Sequence, residues 1–176
     1  MNSFVLKIWD DEGKRVTFYS VWKEGALLSE TDKFLEKYEN NSGLSEELDQ
    51  LVELVLTTIG DEYGAISTFF NRRKNDIVGL PHRGNVTINE ISFRFPDFPF
   101  RLYALRIQNR EDLVVLFNGG LKTARTDQES PDLSLKFKEA QVFAAKIEDA
   151  IYEGQIVIDE KNRKLTDFEG NDEIFL

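Results

Sequence analysis

Six side chains in the middle of this chain have the chemistry to hold and activate a phosphodiester. They are Arg94 in ISFRF, Arg101 and Tyr103 in FRLYALRI, Lys122 and Arg125 after LVVLFNGG, and the single histidine, His82, in LPHRGN. Arg or Lys can stabilise charge developing on a pentavalent phosphorus, and Tyr or His can move protons. Such a set needs no metal, and when the nucleophile is the neighbouring 2'-hydroxyl, only RNA is a substrate. Arg83, Arg72 and Arg73 are further candidates for gripping the phosphate backbone. Each residue also has a plainer reading. Arg94 and Arg101 could pair with carboxylates such as Glu90 or Asp97, Tyr103 could pack in a sheet with its hydroxyl at the rim, and His82 could be a surface side chain.

Other chemistries are excluded by what the chain lacks. With no Cys it has no disulfide, no thiol nucleophile and no thiolate metal site, and one His rules out a multi-His metal centre. No phosphate loop, GxGxxG, HExxH or GxSxG occurs, and no cofactor is expected. The formal net charge of -10 argues against a broad nucleic-acid surface, but the charge is unevenly placed. Residues 1–60 carry 6 basic and 12 acidic side chains, and residues 131–176 carry 6 and 11. Residues 61–130 carry 10 and 9, and hold 8 of the 10 arginines.

The elements that must position these groups are legible from periodicity and turn chemistry. Phe4–Trp9 and Arg15–Trp22 flank an Asp-Glu-Gly turn and predict a β-hairpin. Ser29 or Thr31 can cap a short helix through Phe34, Leu35 and Tyr38. Ser45 opens a second, with Leu48, Leu51, Val52, Val55, Leu56 and Ile59 at helical spacing and Gly60 as its stop. Ile66, Phe69 and Phe70 suggest a short third helix. Three strands follow, Ile91–Phe95, Phe100–Ile107 and the near-continuous apolar Leu113–Phe117, expected as an antiparallel meander that Gly119-Gly120 ends. Leu133–Tyr152 is a long amphipathic helix, and Ile156–Ile158 with Leu165–Phe168 predicts a closing hairpin. One α+β domain over residues 1–176 is the simplest account. No apolar run long enough to span a bilayer is present, and Met1–Trp9 lacks a signal-peptide profile, so a cytoplasmic protein without membrane contact is expected.

The stretch from Phe34 to Ile151 resembles the RelE/HigB-like toxin superfamily of bacterial toxin-antitoxin systems, including its phage-associated branch. The likeness is carried by ISFRFPDFPFRLYAL, then LVVLFNGGLKT, then the helix LSLKFKEAQVFAAKIEDAI. The resemblance implies a helical hairpin packed on a small antiparallel sheet, followed by a C-terminal helix. The hairpin over 1–28 and the acidic hairpin or tail over 155–176 would then be additions to a core over 34–151. It implies metal-independent cleavage of mRNA, free or on the ribosome, with Arg94 and Arg101 as the strand arginines and Lys122 as the lysine after the apolar strand. It also implies control by a partner antitoxin. The alternative is a non-catalytic interaction module of the same fold, prophage- or defence-associated, whose acidic surface binds a basic partner.

Overall fold

The computed structural model describes residues 3–41, 43–72, 76–95, 97–122 and 131–176, and for Arg72 its backbone alone. The first hairpin forms where alternation places it, as β1 (Phe4–Asp10) and β2 (Thr17–Lys23). Helix α1 (Glu30–Glu39) is capped by Ser29, whose Oγ accepts the Asp32 N–H at 2.9 Å. Helix α2 (Ser45–Glu53) does not stop at Gly60 but runs on as a π-helical stretch, Leu54–Tyr63. The β1–β2 turn leans on that stretch: Arg15 and Val16 donate their N–H groups to the Gly60 carbonyl at 2.9 and 3.1 Å. A Cβ on Gly13 would lie 2.3 Å from the same oxygen, so the turn itself needs glycine for the approach. Gly60 therefore serves a contact between elements rather than a helix end.

The expected third helix is only a 3-10 turn, Ser67–Phe69. Strands β3 (Asn71–Arg72), β4 (Ile77–Leu80), β5 (Asn85–Ile88) and β6 (Ile91–Arg94) follow. Then come β7 (Phe100–Arg106), β8 (Leu113–Leu121) and α3 (Pro131–Tyr152). The chain closes with β9 (Ile156–Asp159), β10 (Lys164–Asp167) and β11 (Ile174–Phe175).

The chain is a mixed α and β fold built on a seven-stranded sheet ordered β11-β1-β2-β8-β7-β4-β3. Two points differ from the expected meander. Strand β6 pairs with β5 in a separate two-stranded hairpin and not with β7. The N-terminal hairpin lies inside the main sheet, with β2 parallel to β8 from Thr17↔Leu113 to Ser20↔Leu116. Both faces of the sheet are covered, which is why Leu113–Phe117 is apolar at every position. One face, with Tyr19, Val115, Phe117 and Leu105, packs under α3 through Phe143, Ala144 and Ile147. The other, with Phe18, Leu116, Phe100 and Leu102, packs against Phe34, Leu51, Val55 and Ile59 of the N-terminal helices. Among the described residues no helix is long and apolar enough to cross a membrane.

Strand β8 continues through both glycines that the sequence suggested would end it. A Cβ on Gly119 would sit 2.0 Å from the Arg101 carbonyl, so glycine is what lets β8 stay paired with β7. The register shifts between Leu102 and Ala104, placing Phe117 and Asn118 opposite Tyr103 as a β-bulge. The bulge turns polar groups toward the start of α1, where β2 and β8 part. Thr31 fills the gap: its Oγ1 donates to the Phe117 carbonyl at 2.9 Å and lies 2.8 Å from Ser20 Oγ. Beside it the buried Glu30 carboxylate is balanced by Lys33 at 2.6 Å and Lys23 at 3.7 Å.

Candidate functional site

Strand register places Arg101 and Lys122 at one end of the main sheet, and the loop after β4 and the separate β5–β6 hairpin carry Arg83 and Arg94. Strand β4 ends with Leu80 paired to Leu102, and β7 begins with Phe100 paired to Leu121 and Arg101 to Gly120. Lys122 follows at once, its N–H donating to the Pro99 carbonyl at 2.6 Å. The four residues Pro81–Gly84 join β4 to β5 and carry His82 and Arg83. Strand β5 opens with Asn85, which pairs with Arg94. His82, Arg83, Arg94, Arg101 and Lys122 thus stem from neighbouring strand ends and the loop between them.

Their exposures differ, and that sorts their roles. Arg83 and Arg94 are exposed, and His82 and Lys122 are half-buried. Arg94 donates from Nε to Asn85 Oδ1 at 3.0 Å, not to Glu90 or Asp97. The β5–β6 hairpin that carries it is held by its other face, where the Phe93 ring meets Tyr63 and Phe69 at 5.7 and 5.5 Å. His82 has a buried Nδ1 with no hydrogen-bond partner among the described residues, an unusual state for a buried polar atom. Arg101 is only 3% exposed and donates from Nη1 to the carbonyls of Pro81 and Phe100 at 3.3 and 3.2 Å. It therefore fixes the loop that carries His82 and Arg83 instead of facing solvent.

Tyr103 does not belong to this surface. It is fully buried in the β7 face beneath α3, with its ring 5.4 Å from that of Phe137, out of reach of a bound polymer. Arg125 and Arg73 lie outside the described residues, as does the side chain of Arg72. Two more arginines of the central segment serve the scaffold. Arg106 donates to the Ala65 carbonyl at 2.8 Å, and its burial lowers its pKa. Arg110 is held by Asp112 at 2.8 Å and Glu160 at 2.9 Å.

Asn71 was not singled out in the sequence, yet it shapes the site. Its Oδ1 accepts the Arg83 N–H at 3.1 Å, and its Nδ2 donates to the Pro81 carbonyl at 3.4 Å. The available signal was a polar residue directly after the buried Phe69-Phe70 pair. Asn71 and Arg101 converge on the same carbonyl from two strands, so the loop between β4 and β5 is pinned at its base. Among the described residues no cluster of His, Asp or Glu could hold a metal ion. Among the described residues the cationic side chains at this end that are not fully buried are Arg83, Arg94 and Lys122, near the imidazole of His82. That is an arrangement for an anion with several oxygens. No family model, curated protein or solved structure matches this chain.

Proposed function

We propose that this end of the sheet binds an RNA phosphodiester and cleaves it without a metal, in the manner of a RelE/HigB-like toxin. The observation that supports the reading is that Arg83, Arg94 and Lys122 stem from strand ends and a loop neighbouring His82, and that Arg101 fixes this loop. On this reading α1 and α2 are the family's helical hairpin. His82 takes the proton of a 2'-hydroxyl as that oxygen bonds to the adjacent phosphorus. The bond from phosphorus to the 5'-oxygen breaks, and the proton passes to that leaving oxygen. Arg83, Arg94 and Lys122 balance the charge that grows on the phosphoryl oxygens, and Arg101 is a positioning residue. The reading places the protein in the cytoplasm, opposite an antitoxin that covers the basic end.

The test is expression of wild type, His82→Ala and Arg94→Ala in bacterial cells, with cleavage of RNA by the purified chains assayed with and without ribosomes. Wild type should arrest growth and cut RNA, and both variants should lose most of that activity. Absence of toxicity and of cleavage with ribosomes present would sink the reading.

A second reading draws on the burial of Arg101, one of the groups that the family resemblance implies for chemistry, and of Tyr103, a proton-transfer candidate read from the sequence. It makes the chain a non-catalytic module whose acidic surface binds a basic protein. Here wild type leaves RNA intact, and a basic partner elutes with it until salt is raised.

A further inference from the structure

The outer face of α3 carries a second pattern, opposite its core face. Leu133, Ala140, Ala144 and Ile147 point to the sheet and are buried. Leu135, Lys138, Val142, Ala145, Asp149 and Tyr152 recur at alternating steps of 3 and 4 residues along the opposite side, and all are exposed. Leu135 is 56% exposed, Val142 46% and Tyr152 93%, a large apolar display for a helix whose other face already fills a core. Such spacing is the seam of a two-helix coiled coil, in which every position meets one from a facing helix.

The seam reads the same from either end except for charge sign. It runs apolar, Lys, apolar, apolar, Asp, apolar. Turned end for end about its midpoint between Phe143 and Ala144, it sets Leu135 against Tyr152, Val142 against Ala145 and Lys138 against Asp149. A surface complementary to itself under a twofold rotation is what an isologous dimer requires. We propose that the outer face of α3 binds the same face of a second copy of this chain, antiparallel, with two Lys138–Asp149 ion pairs flanking a central Val142–Ala145 layer. A foreign partner would have no reason to match both the apolar positions and the charge signs of this helix reversed upon itself. The inference is independent of what the cationic end of the sheet binds.

Sedimentation equilibrium of the full chain tests it. Wild type should populate a dimer at micromolar concentration. Lys138→Asp alone, or Asp149→Lys alone, turns both ion pairs into like-charge pairs and should weaken dimerisation about tenfold or more. The double variant K138D/D149K restores opposite charges and should recover the wild-type constant. These positions are exposed, so circular dichroism should be unchanged in every variant. A wild-type chain that stays monomeric overturns the proposal. So does a dimer that the single reversals leave unaffected, or one that the double reversal fails to restore.

Discussion

The hydroxyl of Tyr19 lies at the seam between β2 and β10, where it accepts the Leu165 N–H at 2.7 Å and donates to the Leu165 carbonyl at 3.2 Å. Burial disfavours the phenolate there and pushes the pKa up to about 12 from its ordinary 10.0. Because the folded value lies above the unfolded one, the stabilisation is fully present below pH 10 and is lost as pH rises through about 12. Phenolate absorbance should therefore include a late step from Tyr19, and Tyr19→Phe should remove it. The same variant should reduce the loss of stability on going above pH 10. Whether a polar side chain is buried was not legible residue by residue. Arg94 and Arg101 both interrupt apolar runs, yet Arg94 sits on a hairpin covered on one face and Arg101 on a strand covered on both. Alternation tells which residues share a face of a strand, but not how many of its faces are covered.

Between elements, the joint that matters most is the fork where β2 and β8 part and the start of α1 enters. Thr31 links all three: its hydroxyl bonds to Phe117 of β8 and lies against Ser20 of β2. Thr31→Val keeps the shape and removes the hydroxyl, leaving the buried Phe117 carbonyl without this donor. The expected cost is about 1–3 kcal/mol, read as a lower denaturant midpoint with an unchanged slope. A midpoint equal to wild type would mean that the fork is held by packing alone. The elements themselves were largely legible, because hairpin turns, the Ser29 cap and helical spacing are local signals. Their partners were not. Strand β2 pairs with β8, far along the sequence, and nothing in TFYSVWK names LVVLFNGGL as its neighbour. Gly60, Gly119 and Gly120 were misread for the same reason. Local rules make glycine a terminator, whereas Gly60 and Gly119 sit where backbones of distant elements meet and Gly120 lies against the start of α3.

At the scale of the whole molecule, the net charge of -10 and the proposed cationic site would have opposite effects on a polyanion. The global field slows approach and is screened by salt within roughly 8 Å at physiological ionic strength. The local contacts proposed above would displace condensed counterions from the strand, and their contribution would weaken as salt is added. Arg83 and Arg94 are exposed and Lys122 is half-buried, whereas Arg106 bonds to the Ala65 carbonyl and Arg110 pairs with Asp112. Three phosphate contacts on a single strand imply that log K falls with log salt at a slope of about -2. Removing one contact with Arg94→Ala should bring the slope to about -1.4. Reversing an exposed acidic side chain near the C-terminus, as in Glu173→Lys, should raise affinity slightly and leave the slope unchanged, because it alters the field without adding a contact. Fluorescence anisotropy of a labelled single-stranded RNA across a salt series measures both quantities. A slope near zero, or one that Arg94→Ala does not change, would place nucleic-acid contact elsewhere and leave the acidic ends as the surface that recruits a partner.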